Sequence, residues 1–423
     1  MRVLLVHNPS LIYPLEAPAR NAWLLDRTIG EMMERELLSA GLTIVRAGNF
    51  AEAEELARQE RTGAFILSDS VACSRIVLRR FIRSAEKRRG SVSVVCSLPT
   101  SHATDFASHV DGLNPTEGGA PSKKVWTAPF YFLRGKSSIN HATPLVLPYK
   151  EHVIHYTMPP GLLGHDEETY AISDSYLCNV NHWVHVQRVN MAALAAYWFD
   201  RLRYGWWVGG VSWYAWRFLR GFPWLGGRLI EGLRSVSFRS KVHHSAHIEL
   251  SIIQKGVTIG PHAIISKSFI SEGATILDGA HVIGSVIGTG AVVGRNSIVL
   301  ASVVYPGALA AQILMQGSVL GKNSCALTNS CFFDMNLSKN IRVAYRGRYT
   351  DIGSPYLGVC LGPEARVSAG VWVASGREVP PGALLVKDPG DIADQIGNIR
   401  PGEAAVIRNG KAVPLNEKNG HER

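Results

Sequence analysis

The chain has 423 residues, 46% of them apolar and 18% charged, a balance that supports more than one globular core and excludes disorder over most of its length. Its net charge of +10 is spread along the chain; the densest basic run, Arg79 to Arg89, reads as the solvated side of one helix, so no nucleic acid partner is expected. Six cysteines without a Cys-x-x-Cys pair, no run of 18 apolar residues and no signal-peptide pattern lead to the expectation of a cytoplasmic protein.

In chain order, Arg2–Val6 reads as a buried strand and 29–40 as a helix stopped by Gly41. Strand 43–46, helix 51–61, strand 64–67, helix 75–89 and strand 91–96 follow. This alternation predicts a parallel, doubly wound, Rossmann-like sheet in an α/β domain spanning 1–195. A strand followed at once by a turn, as at Val6, is where a phosphate-binding loop sits in such folds.

Residues 196–240 read as a Trp/Arg-rich helical linker. The stretch 197–234 holds six of the ten tryptophans, with arginines interleaved. That composition suits packing between domains, a membrane surface or a protein partner, and the sequence leaves all three open.

From Ile259 onward, β-branched residues recur as Ile259, Ile265, Ile270, Ile276, Val282, Ile287, Val293, Val299 and Val304. The steps are 6, 5, 6, 6, 5, 6, 6 and 5, so three steps make 17 residues. An α-helix cannot keep this period, whereas a triangular coil of three short strands can, each strand turning one aliphatic side chain inward. The prediction is a left-handed parallel β-helix of hexapeptide repeats over 248–385, with Leu314 and Leu320 extending the stack. The register lapses at 329–355, read as an extruded loop, and resumes at Leu361, Val367, Val373 and Val379. Residues 386–423 read as capping strands and a polar tail.

Residues 273–294 (Gly-Ala-Thr-Ile-Leu-Asp-Gly-Ala-His-Val-Ile-Gly-Ser-Val-Ile-Gly-Thr-Gly-Ala-Val-Val-Gly) resemble the β-helix of sugar nucleotidyltransferases, a coil that hexapeptide acyltransferases share. The chain is similar in organisation to the bifunctional N-acetylglucosamine-1-phosphate uridyltransferase/acetyltransferase family. The resemblance implies a homotrimer, a nucleotide-sugar ligand, Mg2+ for nucleotidyl transfer, and acetyl-CoA if acyl groups are moved.

The family's nucleotidyl-transfer signature, G-x-G-T-R-[ML] followed by Tyr-Pro-Leu, aligns with the segment ending Tyr13-Pro14-Leu15. Here His7 and Pro9 replace the two glycines, Leu11 replaces the arginine, and Arg20-Asn21-Ala22 stands where the family has P-K-P. Proline has no amide to offer a phosphate, and leucine removes the charge that stabilises a displaced pyrophosphate. Arg20 is the nearest substitute cation. Ser68-Asp69 resembles the family's metal-binding Gly-Asp pair, and Asn179 falls at its second ligand position. Asp69 and Asn179 would make a weak oxygen set for Mg2+; alternatively, Asp69 caps the following helix.

In the extruded loop, Asp334, Asn336, Lys339 and Arg342 suit either an anionic ligand or a trimer contact. The β-helix histidines (His243, His244, His247, His262 and His281) match no general-base motif. Two functions of different class follow: a relative that has lost nucleotidyl transfer and keeps a binding, regulatory or assembly role, or a transferase of nucleotide-sugar metabolism, acyl-transferring or divergently nucleotidyl-transferring.

Overall fold

The computed structural model describes residues 1–100, 114–116, 124–157, 167–199, 235–396, 399 and 404–414. Most of the Trp/Arg-rich stretch, 200–234, lies outside the described residues. Among the described residues, no helix is long and apolar enough to cross a membrane.

Seven strands form the first sheet: β1 (Arg2–Val6), β2 (Thr43–Ala47), β3 (Ala64–Ser68), β4 (Val92–Thr100), β5 (Asn114–Thr116), β6 (Lys124–Arg134) and β7 (Thr143–Val146). Their order is β7-β4-β6-β3-β1-β2, with β5 paired to β6. Strands β1, β2 and β3 are parallel, as the alternation predicts. The sheet is nonetheless mixed, because β6 runs antiparallel to both β3 and β4. An antiparallel neighbour needs no crossover helix, so the strand–helix alternation could not announce it.

Side-chain alternation along β1 and β3 divides the core in two. Leu4, Val6, Ala64 and Ile66 meet helix α2 (Phe50–Arg58) on one face. Val3, Leu5, Phe65 and Leu67 meet α1 (Ile29–Ser39) and α3 (Arg75–Glu86) on the other. Thr28 and Glu31 close a capping box on α1, satisfying two backbone donors reciprocally. A fourth helix, α4, covers 183–199 and buries Trp183, Val184, Val186 and Val189 in the α1/α3 core.

The second body is a parallel coil with three faces. The first face stacks eight two-residue strands from Ser235–Val236 to Glu378–Val379, and the second eight from Lys241–Val242 to Leu384–Leu385. The third stacks seven, from His247–Glu249 to Trp372–Val373. The ladder thus starts at 235, ahead of the expected 248. The predicted columns are present: Ile259 pairs with Ile276 and Val293, Ile265 with Val282 and Val299, and Ile270 with Ile287 and Val304. The following turn is one residue shorter, which pairs Val299 with Met315 and Val304 with Leu320. Met315 therefore fills the interior, and Leu314 points outward, half exposed. The extruded loop also leaves later than expected, because Cys331 and Phe332 are still in register with Trp372 and Val373.

A buried serine column turns the corner between the third and first faces. The hydroxyls of Ser251, Ser268, Ser285 and Ser302 accept the backbone N–H of Ser268, Ser285, Ser302 and Ser318, one coil on, at 3.0–3.1 Å. Each also donates to the carbonyl two residues back, so each of these buried hydroxyls both donates and accepts. Ser318 continues the column to Val359 N at 3.0 Å, across the extruded loop. Gly358 must be glycine there, since a Cβ would overlap the Ser318 hydroxyl.

The two bodies share one core. On the first face the inward residues, such as Ile270 and Ile287, fill the coil. The outward residues Ile252, Phe269, Val286, Val303, Val319 and Cys360 are buried against the α/β domain. Gln187 of α4 donates to Ala301 O at 2.7 Å, fixing the helix to a corner of the coil.

Candidate functional site

Strand β1 lies between β2 and β3, so the chain turns off in opposite directions on its two sides. Crevices at the carboxyl ends of such strands are where open α/β sheets seat ligands. The register pairs Val6 with Ser68, so His7 and Asp69 emerge side by side at this point. His7 donates from Nδ1 to Asp69 Oδ2 at 2.8 Å, and Asn8 N donates to Asp69 Oδ1 at 2.8 Å. The carboxylate is buried, while the imidazole is half exposed. Arg20 Nη1 lies 3.8 Å from Asp69 Oδ2, and its Nη2 lies 3.5 Å from Glu34 Oε1, which Arg46 also reaches at 3.1 Å.

The structure therefore brings Arg20 and Asp69 together and adds His7, which the sequence presents only as a lost glycine. Asn179 sits close by: its Oδ1 accepts from Ser70 Oγ at 2.8 Å, and it pairs with Val71 in a short ladder. Asp69 does not cap α3; Ser74 does. Both Asp69 oxygens already accept hydrogen bonds, and so does the Asn179 carbonyl. Among the described residues no group of three or more His, Cys, Asp or Glu is placed to hold a metal.

The loop after β1 is committed elsewhere as well. From Tyr13 to Asp26 it runs along the corner between the first and second faces of the coil, meeting four of its turns in reverse order. Pro14 O lies against Gly362, where a Cβ would stand 2.8 Å from it. Trp23 N donates to the Tyr305 hydroxyl at 3.0 Å, Ser271 Oγ donates to Leu25 O at 3.3 Å, and Gln254 Nε2 donates to Asp26 Oδ2 at 3.0 Å. Asn190 of α4 holds the same segment from behind, accepting from Leu25 N and donating to Trp23 O. Burial pushes the Asp26 carboxyl up, but the Arg27 guanidinium and the Gln254 amide outweigh it and hold it below the usual carboxylate range.

The extruded loop folds as a hairpin, Arg342–Tyr345 paired with Arg348–Asp351. Its tip packs on the start of α4. Tyr345 donates to Asn181 Oδ1 at 2.8 Å, His182 Nε2 donates to Ala344 O at 3.1 Å, and Trp183 Nε1 donates to Glu378 Oε1 at 2.7 Å. The four loop candidates do not converge. The Asp334 carbonyl accepts from Leu357 N, and Asn336 N donates to Pro355 O, closing the neck of the loop. Burial raises the Asp334 carboxyl. Arg342 donates to Tyr349 O at 2.8 Å, bracing the hairpin, and Lys339 is exposed.

The β-helix histidines are likewise spread over corners and the third face; the His243 and His244 rings lie tilted with centroids 4.2 Å apart, and His243 Nδ1 lies 2.8 Å from Ser245 Oγ. A cavity of about 400 Å³ opens where the first coils meet the α/β domain, between Arg35 of α1, Tyr197 of α4 and Phe269.

Fold and site together define a Rossmann-like α/β domain joined to a hexapeptide-repeat β-helix, with a His–Asp pair at the strand ends. No family model matches the chain, and no curated protein matches it. Among solved structures it is similar to a hexapeptide transferase family protein from Anaplasma phagocytophilum, at 18% identity and a TM-score of 0.18, covering 34% of this chain and 72% of that one.

Proposed function

We propose that this chain has lost nucleotidyl transfer and works as a binding and assembly protein, its α/β domain carried on a β-helix scaffold. The observation that carries this reading is the course of the loop after β1. In the sugar nucleotidyltransferases this chain resembles, that loop cradles phosphates; here it lies along four coils of the β-helix, and its first two residues occupy both oxygens of Asp69. A loop held at both ends by protein contacts is not free to close on a triphosphate. Assembly as a homotrimer fits the same reading. The first face is covered by the α/β domain, while the third turns Ile283, Leu314 and Trp372 to solvent. The ligand class we assign to the α/β domain is a nucleotide-sugar.

The test is pyrophosphate release from each of the common nucleoside triphosphates with a panel of sugar 1-phosphates and Mg2+. Release at the blank rate is expected, and turnover at about 1 s⁻¹ or faster, in the ordinary range for enzymes, would refute the reading. Light scattering should give three times the chain mass.

A further inference from the structure

We propose that this molecule docks on anionic lipid surfaces through the cationic outer face of α3 and the exposed ring of Phe238 on the first coil.

The first support is a row of cations whose charges no carboxylate cancels. Helix α3 buries Val77, Leu78, Phe81, Ile82 and Ala85 in the α/β core. At helical spacing the opposite side carries Arg79, Arg80, Arg83 and Lys87, and Arg88 and Arg89 follow at its end. None of these six makes an ion pair among the described residues, and Glu86 is the sole acid between 75 and 89. Arg80 donates to the Pro148 carbonyl, and Arg134 donates to Arg88 O, which sets a further cation beside the end of the helix. Exposed cations elsewhere are neutralised: Arg46 by Glu34, Arg58 by Glu54 and Arg295 by Asp278.

The second support is an aromatic ring that the fold leaves in water. Phe238 stands at the corner between the first and second faces of the first coil, 91% exposed, with the Arg239 guanidinium 5.5 Å over its ring. A single exposed phenylalanine is ordinary; its place gives it weight. The cavity between α1, α4 and the first coils is lined by Arg75 and Ile76 at the start of α3 and by Ile252 and Gln254 of the second coil. Ser237 N donates to Ile253 O at 2.9 Å, so Phe238 lies one coil from the wall on which α3 begins. The sequence between α4 and this coil has the same chemistry: 200–234 holds five tryptophans and six arginines against Asp200 and Glu231.

Cations alone would fit any polyanion. Cations with aromatic rings beside them fit a lipid surface, where guanidinium and ammonium groups meet headgroup phosphates and the rings enter the interface. Helix α3 is held by its inner face along its length. It therefore offers a flat row, about 12 Å from Arg79 to Lys87, rather than a helix free to enter a groove.

The experiment is cosedimentation of the full chain with vesicles of phosphatidylcholine, alone or with phosphatidylglycerol as about a third of the lipid. Duplex DNA is tested in parallel at the same salt. The chain should bind the anionic vesicles, leave the neutral ones in solution, and bind less as salt rises. Arg83→Gln with Lys87→Gln should lower the partition coefficient about 25-fold, about fivefold for each cation. Phe238→Ala should lower it about tenfold. Arg295→Gln, a charge removed from the coil instead, should change it by less than about twofold. All four positions are exposed, and an unchanged thermal midpoint verifies that each variant is folded. Equal binding to neutral vesicles, undiminished binding in the double variant or in Phe238→Ala, an Arg295→Gln loss as large as that for one α3 cation, or tighter binding to DNA than to anionic vesicles would each overturn the proposal. Pyrophosphate release plays no part in this assay, so its outcome is independent of the reading of the loop after β1.

Discussion

Phe269 and Leu314 occupy outward positions two coils apart and on different faces, and truncating each measures how firmly the two bodies are joined. Phe269 is 5% exposed because the α/β domain covers it, and its ring meets Tyr197 of α4 edge to face at 6.5 Å. Leu314 is 49% exposed. Phe269→Ala removes a buried aromatic from a core that cannot fully collapse around the gap, at a cost of about 3–5 kcal/mol. Leu314→Ala removes a side chain that water already reaches and should cost under about 1 kcal/mol in the isolated chain. At ~1.4 kcal/mol per tenfold, the Phe269 change raises the opening equilibrium by at least about a hundredfold. Because the first face and the α/β domain share a core, that loss must appear on both sides of the junction. Hydrogen exchange resolved by peptide is the assay: Phe269→Ala should speed exchange together in α1, α4 and the strands at 269–270 and 286–287. Faster exchange confined to the β-helix, or equal effects of the two substitutions, would refute the shared core.

Two further outcomes follow from the electrostatics and from burial. Asp26 is held below the ordinary carboxylate range, so its contribution to stability is present above the unfolded-state pKa near 4 and is lost as pH falls through the lower folded-state value. Asp26→Asn should flatten the loss of stability below about pH 4, measured as thermal midpoint against pH. None of the six cysteines is in a disulfide, and burial pushes the Cys73 thiol up to about 12 and those of Cys96 and Cys360 well above the usual range. A thiol reagent at pH 8 should therefore modify at most Cys325 and Cys331 in the native protein, read by mass spectrometry, and all six after denaturation.

The β-helix was legible because its period is local: each coil repeats the same aliphatic column, and Ile259, Ile276 and Val293 betray it without knowledge of what they touch. The shortened turn before Met315 escaped, because Leu314 and Met315 are both apolar and only the ladder distinguishes them. The junction had a signal that could have been read. First-face strands pair two apolar residues without a break from Ile252-Ile253 to Val319-Leu320, whereas the second face mixes Thr258 and Thr275 with Val292 and Leu309, so the unbroken apolar column was the mark of the covered face. Strand β6 left no such mark, since its antiparallel placement depends on neighbours far away in sequence. At the site, the loss of the phosphate loop could be read residue by residue. What replaced it could not, because the His7–Asp69 contact joins residues 62 apart and exists only through the register of β1 with β3.

The serine column bears on how such a molecule acquires new parts. Its last link joins Ser318 to Val359, residues 41 apart, where the links before it join residues 16 or 17 apart. Loop-closure entropy grows only logarithmically, about 0.6 kcal/mol for each doubling of length, so lengthening one corner by this much costs little once the column is rejoined on the far side. The coil can thus be interrupted at a corner and resumed in register, while the inserted hairpin is held to the α/β domain by its own buried residues, Ile341, Val343 and Ile352. Shortening the segment between Phe333 and Gly358 would therefore leave the ladder of the stack in register but remove the hairpin's packing against α4.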